Sequence, residues 1–432
     1  MLDNREQRHK IYSIMRRLGD EYDLVPFITL KHLSQKQEES KDNLGEFIDE
    51  YGFYFRDYEL LSNIFQKQEN DDDSYLSDFK SSINALKNAS NEYIKEIYSR
   101  IPNKTLNDDV LSDILIMLKY AKDSKRLYFE LTRRPLMMLR RREGVLPSWV
   151  TRVICDIVKE DHDIKNVYNP TCRDAETIKC LQNFESATLY EKDEQMYYRA
   201  IQNLIINDIP MNKITIANKE MVVLDGHMRF DAIISTPNDE VKGRITSDLS
   251  NLEIYGYETK NREALHLFNL INHLAEEGIL IMVTSLDLLV KRDTYNLRRE
   301  LIEDNLVESI IEYDRSYRNS KNIILIIRKN KESDDILFIK QDDDTFRRQM
   351  RLPKFIEECY RLRNKIDRFS DIITNDEIKE NDYNLNPKRY VYTLDYEPKD
   401  LGELTSKQHE YTSQIRQLDE EIEELLDKIN KL

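Results

Sequence analysis

Glycine and proline are scarce in this chain, 9 and 10 residues among 432, so flexible linkers, collagen-like repeats and low-complexity segments are excluded. Cysteine is scarce as well. Its four copies, Cys155, Cys172, Cys180 and Cys359, form no C-x-x-C pair, so neither a zinc site nor a disulfide framework is indicated, and a reducing compartment is the simple reading. No apolar run reaches the ~20 residues that a transmembrane helix needs, and the opening Met1-Leu2-Asp3-Asn4-Arg5-Glu6 lacks the apolar centre of a signal peptide. The expectation is a soluble, cytoplasmic protein with no membrane partner. Positive charge is in deficit: Lys+Arg 65 against Asp+Glu 81 gives −16. With a pI of ≈ 5.1, the surface as a whole is no nucleic-acid footprint, and any DNA contact must be local or supplied by a partner.

What is present divides into three. A length of 432 residues predicts two domains, or one with long helical additions. Residues 1–125 are polar, with apolar positions at helical spacing such as Leu111, Ile114, Leu115, Leu118 and Ala121, and are expected to form a helical domain. Within them, Glu69-Asn70-Asp71-Asp72-Asp73-Ser74 reads as a solvated loop or helix cap rather than a metal site. Residues 126–345 alternate short strands with helices. The strand candidates are Asn166 to Tyr168, Ala187 to Glu191, Met221 to Leu224, Ala232 to Ile234, Gly278 to Thr284, Leu306 to Glu312, Asn322 to Ile327 and Ile336 to Ile339. Helical patterns run from Gln195 to Ile206 and from Arg262 to Glu276. Such alternation predicts an α/β fold with a mostly parallel sheet covered on both faces and a ligand crevice at its carboxyl edge.

Residues 346–432 return to helical patterning. Ile415, Leu418, Ile422, Leu425, Ile429 and Leu432 alternate spacings of three and four, a coiled-coil seam flanked by Glu420, Glu421, Glu423 and Glu424. A solitary amphipathic helix on its own domain explains the same pattern.

Two further stretches concern function. Phe230-Asp231-Ala232-Ile233-Ile234-Ser235 is a hydrophobic strand that delivers the loop Thr236-Pro237-Asn238-Asp239. Arg133-Arg134-Pro135-Leu136-Met137-Met138-Leu139-Arg140-Arg141-Arg142 is the densest basic run. Arg133, Arg134, Arg140, Arg141 and Arg142 are candidate phosphate contacts, because clustered guanidiniums bind phosphate bidentately; a solvated linker helix is the competing reading.

Taken in order, the segments from about Arg140 to Leu432 resemble the modification subunit of type I restriction-modification systems, an S-adenosylmethionine-dependent N6-adenine DNA methyltransferase. The resemblance is carried by Leu274-Ala275-Glu276-Glu277-Gly278-Ile279-Leu280-Ile281-Met282-Val283 and by the segment from Arg299 to Ile311. It is carried also by Asp382-Tyr383-Asn384-Leu385-Asn386-Pro387-Lys388-Arg389-Tyr390-Val391. It implies a Rossmann-like methyltransferase fold with an N-terminal helical domain and a C-terminal helical or coiled-coil tail. It also implies a specificity subunit or another modification subunit as partner of the C-terminal helix, together with DNA.

The resemblance assigns site positions too. The family's Asn-Pro-Pro-Tyr or Asn-Pro-Pro-Phe falls on Thr236, Pro237, Asn238 and Asp239, so the catalytic amide and the stacking aromatic are both replaced. A hydroxyl does not reproduce the reach of an amide oxygen, and a carboxylate has no π-face for a flipped base. The family's glycine-rich first turn falls on Asn169-Pro170-Thr171-Cys172-Arg173-Asp174-Ala175, where Asn169, Pro170 and Cys172 remain and the glycines do not. Arg173 is expected to narrow or fill the cofactor cleft. Glu191 matches the ribose-binding acid. Glu143 and Pro147 remain from a cofactor-holding segment, and Asp225 stands at the acid near the cofactor's adenine, where an ordinary Asp-Gly turn explains it equally well. His227 has no second metal-type residue at suitable spacing, and no metal is expected.

The resulting expectation is a catalytically defective homologue with S-adenosylmethionine unbound, serving a structural or regulatory part in a DNA-binding defence complex. Two alternatives stay open: an active DNA adenine N6-methyltransferase with an unusual motif, and an acidic interaction module that binds another methyltransferase subunit without DNA.

Overall fold

The computed structural model describes residues 5–18, 23–133, 146–159, 164–181, 183–220, 227–237, 261–314, 321–340 and 352–391. Eight helices come first: α1 (Arg5–Leu18), α2 (Val25–Glu39), α3 (Leu44–Tyr51), α4 (Leu61–Glu69), α5 (Tyr75–Lys87), α6 (Glu92–Ser99), α7 (Asp108–Tyr120) and α8 (Ser124–Arg133). The spacing seen around Leu111 and Ile114 puts those side chains inside, and α2 is the centre of this layer, with Phe27, Ile28, Leu30 and Leu33 fully buried.

After α9 (Ser148–Lys159) the chain alternates: β1 (Asn166–Asn169), β2 (Ser186–Glu191), α10 (Glu194–Ile206), β3 (Ile214–Asn218), β4 (Phe230–Ser235), α11 (Arg262–Asn272) and β5 (Leu274–Ser285). Then follow α12 (Asp287–Val290), α13 (Tyr295–Glu303), β6 (Val307–Asp314), β7 (Lys321–Arg328), β8 (Asp335–Lys340), α14 (Leu352–Leu362), β9 (Ser370–Thr374), α15 (Asn375–Glu380) and α16 (Pro387–Tyr390). The strands form one sheet in the order β3-β2-β1-β4-β5-β7-β6-β8-β9. Pairing is parallel from β3 through β5 and between β6 and β8; β7 runs antiparallel to both its neighbours, and β9 runs antiparallel to β8. The fold is therefore mixed α/β with an N-terminal helical layer, as the sequence pattern and the resemblance imply.

The period of two along each strand sorts the core into two faces. Val167, Leu189, Ala232, Ile234, Ile279 and Ile281 point to the face covered by α9, α10 and α14, and this core runs on into the helical layer. Tyr168, Ile233, Leu280 and Met282 point to the face covered by α11 and α13. Strands buried on both sides read as continuous apolar runs, which is why β7, with Ile323 to Ile327 wholly buried, was visible in the sequence.

Three findings depart from the sequence reading. The helix expected to reach Glu276 stops at Asn272, and Leu274 already begins β5, because Phe230 N–H donates to the His273 carbonyl at 2.9 Å and opens the β4–β5 pairing. Two strands went unforeseen, β3 and β9, both short and at the sheet's two edges; β9 lies beyond residue 345, in the segment read as helical, and pairs with β8. Cys155 and Cys180 form a disulfide with Cα atoms 5.5 Å apart, although their spacing in the chain gave no sign of it. The candidate strand Met221 to Leu224 and the C-terminal coiled-coil seam fall outside the described residues.

Trp149 of α9 sets its ring edge-on to Tyr313 of β6, centroids 5.3 Å apart. The helical layer grips α10 through Arg100, paired with Glu194 at 2.8 Å, and through Tyr198, whose hydroxyl donates to Glu96 at 2.6 Å.

Candidate functional site

The site is built where β1, β2 and β4 end side by side. Parallel strands deliver their following loops to one edge, so Asn169, Glu191 and Ser235 mark neighbouring exits. Asp231, one residue into β4, works at the other end: its Oδ2 accepts from the backbone N–H groups of Lys165 and Asn166 and fixes the entry of β1. Phe230 stacks on Tyr168 at 4.9 Å.

Beyond β1 the chain turns sharply. Arg173 and Ala175 have φ of 54° and 55°, the left-handed region that side chains disfavour. These are the positions at which the resemblance places glycines, so the turn keeps a glycine-type backbone without the glycines. Cys172 N–H donates to the Tyr190 carbonyl at 2.9 Å, and Ala175 N–H to the Cys172 carbonyl at 2.8 Å. Asn203 of α10 donates to the Asp174 carbonyl at 2.7 Å, and the Asn169 side chain spans the turn, accepting from Thr171 N–H at 3.1 Å and donating to Thr177 Oγ1 at 3.3 Å.

Arg173 ties the three exits together. Its backbone N–H donates to Glu191 Oε2 at 2.7 Å. Its guanidinium crosses to the loop after β4, where Nε donates to the Thr236 carbonyl at 2.7 Å and Nη2 to the Pro237 carbonyl at 3.1 Å. The residue is 5% exposed. The other oxygen of Glu191 accepts from Asp193 N–H at 2.9 Å. Burial pushes the Glu191 carboxyl up from its ordinary range, while the hydrogen bonds from Asp193 and Arg173 pull the other way. Burial also raises the Cys172 thiol well above its usual value, which makes it a packing residue rather than a nucleophile.

A second chain of contacts lies under the β4 loop. Thr236 N–H donates to Thr171 Oγ1 at 2.8 Å, and Thr236 Oγ1 donates to the Thr171 carbonyl at 3.1 Å. Thr171 Oγ1 lies 3.2 Å from Ser235 Oγ, which in turn lies 2.7 Å from Nε2 of His266 on α11. His266 is fully enclosed; burial, with Arg262 nearby, lowers its pKa to about 3, so the ring is neutral. Sequence reasoning did not find Ser235 or His266. A lone histidine inside an apolar helix has no spacing that marks it.

The structure thus brings together Asn169, Pro170, Cys172, Glu191, Thr236 and Pro237. Pro147 immediately precedes α9, its carbonyl accepting from the N–H groups of Val150 and Thr151. Arg133 closes α8. Glu143, Asp225, Asn238, Asp239, Arg134, Arg140, Arg141 and Arg142 lie outside the described residues. Among the described residues, no group of three or more His, Cys, Asp or Glu could hold a metal ion, and no helix is long and apolar enough to cross a membrane. A cavity of 590 Å³ opens between α13 and the Asp382–Asn384 turn, but none of the cleft residues lines it.

Residues 144–399 match the N-6 DNA Methylase family. Two type I restriction enzyme methylase subunits of Methanocaldococcus jannaschii are similar: MjaVIII, 25% identical over 229 residues covering 48% of this chain and 40% of the relative, and MjaVII, 24% identical over 324 residues covering 66% and 55%. The chain therefore spans about half the length of these curated relatives. Among solved structures, the type I restriction-modification methyltransferase subunit from Streptococcus thermophilus superposes with a TM-score of 0.72 at 17% identity, over 90% of this chain and 98% of that one. A structure from an assembled type I system superposes with a TM-score of 0.62 at 14% identity, over 99% of each chain. At these identities, the superpositions speak to the fold.

Proposed function

The chain belongs to the N-6 DNA Methylase family, and on that premise we propose that it is a modification-subunit homologue that has lost methyl transfer and serves a structural or regulatory part in a DNA-binding defence complex. One observation carries the reading: the guanidinium of Arg173, buried and spent on the Thr236 and Pro237 carbonyls, lies across the mouth between the loops after β1 and β4. A sulfonium nucleoside entering there needs close approach to bare backbone and a free acid for its ribose hydroxyls. Side chains stand on that backbone at 173 and 174, and both oxygens of Glu191 already accept backbone N–H groups. We read these residues as a poor fit for S-adenosylmethionine. The chemistry such a cofactor supplies, an activated methyl group, has no seat in this arrangement.

The reading of the base site agrees. The Thr236 hydroxyl is turned onto the Thr171 carbonyl, and a single donor so engaged does not polarise a target amino group. On this reading DNA contact falls to the basic run from Arg133 to Arg142, and subunit contact to the apolar seam from Ile415 to Leu432; a specificity subunit or a second modification subunit is the partner that such a sequence pattern fits.

Calorimetric titration with S-adenosylmethionine tests the loss directly. No heat up to high micromolar cofactor is expected, and micromolar binding refutes the reading. The second reading, an active methyltransferase, is favoured by the retained turn, since φ at 173 and 175 still has its glycine values. Transfer of a labelled methyl group to DNA, abolished by Thr236→Ala or Asn238→Ala, would establish it. Gel retardation at rising salt separates a DNA-binding part from a purely protein-binding one, because phosphate contacts weaken steeply with salt.

A further inference from the structure

Asp208 occupies a position that its own helix disfavours twice. It follows α10 in the turn that closes the helix: Asp208 N–H donates to the Ile205 carbonyl and Ile209 N–H to the Leu204 carbonyl, both at 3.0 Å. That pair of bonds is the Schellman arrangement, whose left-handed residue is normally glycine. Here φ is 58° on an aspartate. The position also puts a negative charge at the carboxyl end of a helix, where the backbone dipole repels it. Local preference therefore explains neither the residue nor its sign, and an outlier of this kind points to partners outside the element.

Those partners come from two helices of the helical layer. His32 Nε2 lies 3.1 Å from Oδ1, and Lys36 Nζ donates to the same oxygen at 2.6 Å, both from α2; Lys125 at the start of α8 pairs with Oδ2. The Nδ1 of His32 lies 3.0 Å from Ser124 Oγ, which joins α2 to α8 beside the carboxylate. Partial burial would raise the Asp208 carboxyl, and hydrogen bonds from His32, Lys125 and Lys36 overcome it and hold the group well below the usual range. At its other end α10 meets α6 through the Arg100 and Tyr198 contacts described above.

We infer that Asp208 is an ionic latch that fixes the end of α10 to α2 and α8, so that the seat of the helical layer on the sheet layer is sensitive to salt at this corner. The carboxylate is a third exposed, at 32%, and Lys125 about half, at 47%, which leaves the cluster within reach of mobile ions. Between this cluster and the Arg100–Glu194 pair at the other end of α10, apolar side chains of α10 and the helical layer share one continuous core. Loss of the Asp208 charge is therefore read at the corner that Asp208 closes.

The test is hydrogen exchange on the full chain. Asn is a side chain that tolerates positive φ, so Asp208→Asn removes the charge and leaves the turn intact, while Asp208→Gly does the same with no side chain. Both variants are expected to speed amide exchange in the last turn of α2 and the first turn of α8 by about tenfold or more at about 50 mM salt, with β1 and β2 unchanged. The excess should shrink towards wild type at about 1 M salt. Exchange within about twofold of wild type at low salt overturns the latch, as does a change confined to the end of α10, which would mark Asp208 as a cap alone. If either variant fails to fold, Lys36→Met combined with Lys125→Met gives the same readout from the opposite side of the pair.

Discussion

Arg173 holds the end of β4 from the end of β1: its Nε reaches the Thr236 carbonyl at 2.7 Å while its own N–H rests on Glu191 Oε2 at the same distance. One residue thereby closes all three strand exits on one another. The first prediction is that restoring small residues reopens them. Because φ at 173 and 175 is already positive, the triple change Arg173→Gly, Asp174→Ser, Ala175→Gly requires no new backbone path. It is expected to lower unfolding free energy by about 1–3 kcal/mol through the lost charged hydrogen bonds and to bring S-adenosylmethionine binding into the micromolar range. Calorimetry reads the second effect and urea unfolding the first; a variant that folds and still ignores the cofactor would show that Arg173 is not the obstacle.

His266 supplies a pH dependence. Its pKa lies at about 3 in the fold against an ordinary 6.5. Below 6.5 the unfolded chain takes up a proton that the folded chain refuses, so stability falls as pH drops through this window, at up to about 1.4 kcal/mol per pH unit for one group. His266→Gln keeps a partner for Ser235 and removes the titration, so its stability should decline less steeply between pH 6.5 and pH 4 than that of the wild type. Parallel curves for the two proteins would rule out the burial argument.

The legibility of the chain follows the same division. β1, β2 and β4 to β8 were visible because strands buried on both faces write their burial as apolar runs. β3 was not, since only Ile214 and Ile216 face inward and Thr215 is exposed, which leaves too short a pattern to separate from a loop. The cleft was legible where residues replace a motif, as at Arg173 and Thr236. What stayed illegible was pairing across the fold: nothing near His266 announces Ser235, 31 residues earlier, and nothing around Asp208 announces His32.

Gly278 gives a steric prediction. A Cβ there would lie 2.8 Å from Leu274 Cδ1 and 3.0 Å from the carbonyl oxygens of Phe230 and Asp231. The backbone of β4 cannot yield without losing its pairing to β5. Gly278→Ala is therefore expected to cost about 1–3 kcal/mol in urea unfolding, and a neutral result would mean that the two strands separate more readily than their register suggests.

The cysteines can be counted. With Cys155 bonded to Cys180, and Cys172 and Cys359 buried, the folded protein should react slowly with a thiol reagent. Unfolded without reductant it should expose two thiols, and with reductant four. Four thiols in both conditions would disprove the pairing.

The chain holds one tryptophan, Trp149, and its indole stands against Tyr313 where α9 meets β6. Emission excited at the red edge of its absorption therefore comes from a single address on the sheet layer. A denaturation curve recorded that way follows the detachment of α9 and is blind to the fate of α1 to α8. Far-ultraviolet dichroism, to which those helices contribute alongside the helices of the sheet layer, would include the other half. Whether the two curves coincide is thus a direct measure of how far the helical layer and the sheet share one cooperative transition.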